Sequence, residues 1–190
     1  IIMKTGLYID GLQSVFQRCP RCGAEPMYIE GEHRIYCPVC HFEYFHNVAT
    51  AVGALIISQG GLLLLERAKE PARGTLALPG GFVDPGESLE EALARECNEE
   101  IGWIPERDMM RYFCSFPNTY WFKDILYHTC DMFFMIRLDS LDITKLYCDP
   151  SEVTSVSVIP IEQLQLEKLA FESTKKAVKM LLRIVDSEAV

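Results

Sequence analysis

Four cysteines arranged as CPRC and CPVC constrain this chain more than any other feature: Cys19 and Cys22, then Cys37 and Cys40, with fourteen residues between the pairs. A C-x-x-C knuckle presents two thiolates to one metal, and two knuckles complete a tetrahedron of soft ligands suited to zinc. The spacing is close to that of zinc sites generally. Four thiolates leave no open coordination position, so the role expected of such a metal is structural. Redox C-x-x-C motifs instead open a helix after a strand. Here Pro20 and Pro38 follow the first cysteine of each pair, and MYIE and RIYC read as short strands around EGEH, which argues against redox chemistry. His41 and His46 lie close enough to be alternate ligands, but with four cysteines at hand they read as bystanders. Residues 19–46 are too few to fold on a core of their own, so the metal would supply their stability. The expectation is a small zinc ribbon over 19–46, preceded by an arm or short docked helix over 1–18. Cys97, Cys114, Cys130 and Cys148, scattered singly, read as small apolar core residues.

The remaining residues, 47–190, are enough for one domain of common size. Apolar residues make up 49% of the 190-residue chain and charged residues 24%, a globular balance. A net charge of -9 argues against the basic face that a phosphate backbone requires, so nucleic acid is not an expected partner. It leaves room for a small phosphorylated ligand held through a bridging metal. No apolar run approaches the ~20 residues that span a bilayer, and no signal pattern opens the chain. The expected compartment is the cytosol, with no membrane partner.

Along 47–190, VATAVGALIIS and LLLLER flank QGG and predict a strand–turn–strand unit. RGTLALPGGFVDPGES is a loop dense in Gly and Pro, followed by a helix expected from about Glu87 to Ile101. RYFCSF, ILYHTCDMFFMIRL and SEVTSVSVI read as strands, PIEQL as a short helical turn, and 171–185 as a closing amphipathic helix. Its inward positions are expected at Phe171, Thr174, Val178, Leu181, Leu182 and Val185. Strands interleaved with two separated helices predict an α/β fold, a mixed sheet covered by helices.

The chemistry concentrates in RECNEE, Arg95 to Glu100. On a helix turning about 100° per residue, Glu99, Glu96 and Glu100 project at roughly -60°, 0° and +40°. Three carboxylates in one arc repel by a few tenths of a kcal/mol per pair, and many such faces are merely solvated. Here Leu89, Leu93 and Cys97 give the same helix an adjoining apolar stripe, so the acidic face sits at the edge of a core. The preceding LPGGFVDPGE has a bare backbone that permits close approach. Clustered hard oxygen ligands suit Mg2+ or Mn2+, which also bridge to phosphate oxygens. Arg95 can steady one carboxylate or meet a phosphate.

From Gly81 to Trp103 the chain reads GFVDPGESLEEALARECNEEIGW. This resembles the Nudix box, with Gly81, Glu87, Arg95, Glu96, Glu99, Glu100 and Gly102 in place and Cys97 and Trp103 at its apolar positions. The resemblance implies an α/β/α Nudix sandwich over 47–190 behind the ribbon, an architecture similar to NADH pyrophosphatases and related hydrolases of FAD or ADP-ribose. It implies metal-dependent hydrolysis of a nucleoside diphosphate linked to another group. Glu96, Glu99 and Glu100 would hold Mg2+ or Mn2+ with help from the Gly80 carbonyl. Glu96, Glu99 or Glu152 would take the proton of the attacking water, and Arg95 would assist. In NADH pyrophosphatases a further acidic ligand follows the counterpart of Glu152, where this chain has Ser155.

Those enzymes also carry Ser-Gln-Pro-Trp-Pro-Phe-Pro after the box. CSFPNTYWF retains Ser115, Phe116 and Pro117 but lacks the preceding Trp-Pro, so NADH specificity is unsupported, and ADP-ribose and FAD stay open. Phe116, Tyr120 and Trp121 are candidates to stack on a base, although aromatics beside a strand more often belong to a core. Two other functions compete: a sensor that binds an ADP-ribose-like ligand without cleaving it, and a hydrolase that clears nucleoside triphosphates. A homodimer contact is one reading of the ribbon.

Overall fold

The computed structural model describes residues 6–188. Its described residues form two compact units, Ile1–Val48 with Thr119–His128, and Ala49–Asn118 with Thr129–Val190. Residues 1–5 of the expected N-terminal arm lie outside the described residues. Among the described residues no helix is long and apolar enough to cross a membrane.

In the first unit, helix α1 (Gly6–Val15) precedes three short antiparallel strands: β1 (Tyr28–Glu30), β2 (Arg34–Tyr36) and β3 (Glu43–Phe45). The first two are the expected hairpin. The third, not expected from the sequence, pairs Tyr44 with Ile35. Leu12 from α1, Met27, Ile35, Cys19 and Cys37 make a small buried core, and Ile125 from residues 119–128 packs on it.

The second unit is a six-stranded mixed sheet between two helices. Its strands are β4 (Ala49–Ser58), β5 (Gly61–Arg67), β6 (Leu76–Ala77), β7 (Arg111–Phe122), β8 (Ile125–Leu138) and β9 (Val153–Pro160), with β7 and β8 reaching into the first unit. The order is β6-β5-β4-β8-β7, with β9 antiparallel on β5. β4 runs parallel to β8 from Ala49↔Thr129 to Ser58↔Leu138. The continuous apolar run of β4 is explained by that central place, where both faces are covered.

Helix α2 (Leu89–Ile101) covers one face, burying Leu93, Cys97 and Ile101 against Val52, Ala54, Ile56, Leu63, Leu65, Phe134 and Ile136. Helix α3 (Glu172–Glu188) covers the other, burying Ala177, Val178 and Leu181 against Leu55, Leu62, Leu64 and Phe133. This is the α/β/α sandwich anticipated above. Its inward stripe includes Ser173 and Ala177, both fully buried, which the apolar count passed over because one is polar and the other small. Phe171 precedes the helix, and the Arg67 guanidinium lies 5.1 Å from its ring centroid.

Candidate functional site

The four thiols of the first unit converge. The Sγ atoms of Cys19, Cys22, Cys37 and Cys40 lie within 4.8 Å of one another, with Cys19–Cys40 at 3.6 Å and Cys22–Cys37 at 3.7 Å. A tetrahedral metal with Zn–S bonds of ~2.3 Å requires sulfur atoms about 3.8 Å apart, so the donor set fits. All four cysteines are free of disulfides. Each knuckle is closed by backbone bonds, Gly23 N to Cys19 O and His41 N to Cys37 O. Gly23 and His41 take the left-handed conformation these turns need (φ 76° and 57°). His41 therefore contributes its backbone, while His46 is buried with its Nε2 3.2 Å from Leu126 O, so neither is drawn into the cluster. Amide donors from Cys40 and Val39 pull the Cys37 thiol down to about 7, while Cys22, despite the Ala24 amide, is pushed up to about 12 by the neighbouring thiols and by burial. The arrangement fits a zinc ribbon.

In the second unit, α2 is built to hold its acidic face in one place. Ser88 caps its N-terminus: the Ser88 hydroxyl accepts from Glu91 N, and the Glu91 carboxylate accepts from Ser88 N. Gly102, at φ 63°, closes its C-terminus. Between the caps, Arg95 organises the carboxylates. Its Nε and Nη2 donate to Glu87 at 2.8 and 3.0 Å, its Nη1 to Glu96 at 2.8 Å and Glu99 at 3.2 Å, and its Nη2 also to Phe82 O at 2.9 Å. The Arg95 hydrogen bonds, with help from the Asp84 amide, hold Glu87 below the usual carboxylate range.

The Gly-rich loop lies against this face. Pro79 O and Gly81 O accept from Ala54 N and Val52 N of β4, and Gly80 N donates to Glu100 at 2.8 Å. A Cβ on Gly81 would fall 2.5 Å from Glu96 Oε1, and one on Gly80, at φ 145°, would collide with Val52 O. Only glycine permits this approach. Burial pushes Glu100 up to about 8, and the neighbouring charges of Glu96 and Glu152 add to the rise. Glu96 is raised too, chiefly by burial, against the opposing pull of Arg95. Two desolvated carboxylates beside two others make a site that wants a cation.

Glu152, just before β9, lies near enough for its charge to raise Glu96 and Glu100, and its carboxylate pairs with Lys69. Among the described residues only the four thiols already hold their donor atoms within 4.8 Å. Glu96 and Glu99 are drawn instead to Arg95, and Glu100 to Gly80. Hard oxygen donors of this kind fit Mg2+ or Mn2+. Ser155 donates to Glu66 of β5, its register partner.

The three aromatic candidates are placed apart. Phe116, in the second unit, packs on the α3-side core with Lys176 Nζ 5.9 Å from its ring centroid. Tyr120 and Trp121 belong to the first unit, where the Tyr120 ring lies beside Phe122 and Trp121 is 49% exposed. The sequence reading missed Glu87 as the partner of Arg95, although its fixed place ahead of the helix was the available signal. It also missed Arg67, whose charge opposes the rise of Glu100, and Lys69.

Comparison with known proteins agrees with this geometry. The chain is 31% identical over 150 residues to the NAD-capped RNA hydrolase NudC of Photorhabdus laumondii, covering 79% of this chain and 54% of that protein. It is 48% identical over 63 residues, 33% of this chain and 37% of the relative, to the ADP-ribose pyrophosphatase of Methanocaldococcus jannaschii. The chain thus spans between about a third and a half of the length of these curated relatives. A crystal structure of a NUDIX hydrolase from Nitrosomonas europaea superposes with a TM-score of 0.62 at 26% identity, covering 88% of this chain and 90% of that one. The NUDIX domain of Shewanella oneidensis NrtR, crystallised with ADP ribose, shares the fold at a TM-score of 0.57 and 20% identity, over 82% and 94% of the two chains. A family model for the NUDIX domain matches residues 48–181. With the capped acidic helix, the glycine loop beneath it and the sandwich around both, this match shows that the chain belongs to the Nudix family.

Proposed function

We propose that this protein hydrolyses the pyrophosphate of a nucleoside diphosphate linked to a second group, with residues 47–190 as the hydrolase domain and 19–46 as a structural zinc ribbon. The observation that carries the reading is the pair of desolvated carboxylates, Glu96 and Glu100, packed against Gly80 and Gly81 with Glu99 and Glu152 beside them. Glu96, Glu99 and Glu100, with the Gly80 carbonyl, would hold Mg2+ or Mn2+. When bound, such ions neutralise charge on the transferring phosphoryl group and lower the pKa of a bound water. Glu152 is the base that accepts the proton of the attacking water; Glu96 and Glu99 are the alternatives within the box. The water oxygen bonds to one phosphorus, the anhydride oxygen leaves with the other, and the proton rests on the carboxylate. Arg95, occupied by Glu87, Glu96, Glu99 and Phe82, serves this step by orienting the carboxylates.

The relatives named for NAD-capped RNA and ADP-ribose support a dinucleotide-like pyrophosphate as the substrate class. Phe116, Tyr120 and Trp121 are the candidates to contact the flanking groups. Identical metals treat any pyrophosphate alike, so discrimination must come from the groups on either side of the bridge. The test is kcat/KM at matched Mg2+ for ADP-ribose, NADH, FAD, diadenosine polyphosphates and the common triphosphates. ADP-ribose, NADH or FAD is expected to lead. A triphosphate ahead by about tenfold, a transition-state preference of ~1.4 kcal/mol, would replace this reading with a nucleotide-clearing role.

A further inference from the structure

Glu152 and Lys69 stand 83 positions apart and are brought together on two anchored segments. Glu152 sits in a turn fixed by Asp149, which accepts from Glu152 N at 3.0 Å and Val153 N at 2.9 Å and, through Oδ1, from Ser151 N at 2.8 Å. Lys69 opens a loop between β5 and β6 that is fixed by Gly74 N to Arg67 O, Arg67 N to Thr75 O, Thr75 N and Oγ1 to Ala72 O, and Arg67 Nε to Pro71 O. The two segments are joined by Ala68 N donating to Glu152 O at 2.9 Å, one residue from the ion pair. Lys69 Nζ then pairs with Glu152 Oε1. An exposed ion pair of this kind contributes little to stability. Its effect is directional: with the Glu152 backbone already tied to Ala68, the second contact fixes where the Glu152 carboxylate lies.

We infer that Lys69 is a positioning residue that holds the Glu152 carboxylate beside Glu96 and Glu100, and that it acts on hydrolysis only through Glu152. This rests on the hydrolase reading above and on Glu152 as the base. Lys69 would then govern kcat rather than substrate binding. The required cation needs length and charge but no particular donor geometry, so arginine should serve where methionine does not.

The experiment compares wild type, Lys69→Met, Lys69→Arg, Glu152→Gln and the Lys69→Met/Glu152→Gln double variant, with ADP-ribose and saturating Mg2+, alongside the melting temperature of each. Lys69→Met is expected to lower kcat about tenfold with KM within about twofold of wild type, a loss confined to the transition state. Lys69→Arg should recover most of that loss, and Lys69→Met should add nothing in the Glu152→Gln background. Wild-type kcat for Lys69→Met, with Glu152→Gln inactive, overturns the inference and leaves the hydrolase reading standing. A raised KM at unchanged kcat, or a further loss in the double variant, shows that Lys69 meets the substrate itself and also overturns it. Full activity of Glu152→Gln removes both the base assignment and the role of Lys69. Near-constant melting temperatures exclude unfolding as the cause of any loss.

Discussion

Glu99 separates ligand chemistry from helix stability at the level of one residue. Its side chain is 55% exposed and accepts a hydrogen bond from Arg95 Nη1 at 3.2 Å, so its charge does little for the fold. Glu99→Gln should leave the melting temperature almost unchanged while lowering kcat by orders of magnitude, since a lost metal–carboxylate contact costs ~3 kcal/mol or more in the transition state. Activity within a few-fold of wild type would remove Glu99 from the ligand set. Glu100 makes a pH prediction. Its carboxyl rises from the ordinary 4.5 to about 8 on folding, so between those values the native state keeps a proton that the unfolded chain has released. Stability from this group is therefore fully present below pH 4.5 and is lost as the pH rises through about 8. The metal-free protein should melt at progressively lower temperature from pH 5 to 8.5, Mg2+ should flatten the slope by taking the place of the proton, and Glu100→Gln should flatten it without metal. A melting temperature that climbs across this window in chelator would contradict the assignment.

Elements show where local signals were sufficient and where neighbours decided. Helix α2 starts at Leu89, two residues after the expected start, because the Ser88–Glu91 capping box stops the chain there. Ser88→Ala should cost ~1 kcal/mol, or a melting shift of about 2–4 °C in a protein of this size. It should leave kcat nearly intact, because the cap lies about two turns ahead of Arg95. A large activity loss at an unchanged melting temperature would mean that Ser88 does more than cap. Strand β7 runs on through Pro117, where the sequence reading ended it at Phe116. It lies at the end of the sheet order, so a missing amide donor can face outward there.

At the scale of the whole molecule, the thiol cluster and residues 119–128 share one compact unit: Ile125 packs on its core, and His46 Nε2 meets Leu126 O. Protein purified without added zinc should carry about one zinc per chain, the stoichiometry of a four-thiolate site. Removing it, or making Cys22→Ser, should strip amide-exchange protection from residues 19–46 and from 119–128 together. The sheet between α2 and α3 should keep its protection, because its two apolar layers contain none of these thiols. Full protection of 19–46 in metal-free protein, or a Cys19–Cys22 disulfide, would end the structural-zinc reading.

Much of this protein is determined within short stretches of its sequence. The acidic arc of RECNEE, the turn of each C-x-x-C knuckle and the apolar run of β4 each follow from spacing a few residues long, because helix period, turn geometry and strand propensity are local properties. What tertiary structure decided is which distant residues meet those stretches. Glu152 joins Glu96 and Glu100 only because β9 pairs with β5 and brings residue 152 against Ala68. Glu87 reaches Arg95 only because the loop folds back along α2. Phe116 goes into the α3-side core while Tyr120 and Trp121, four and five residues on, enter the other unit. The elevated carboxyl groups of Glu96 and Glu100 belong to this second class as well. Burial sets them, and burial is a property of everything packed around a group rather than of its neighbours along the chain.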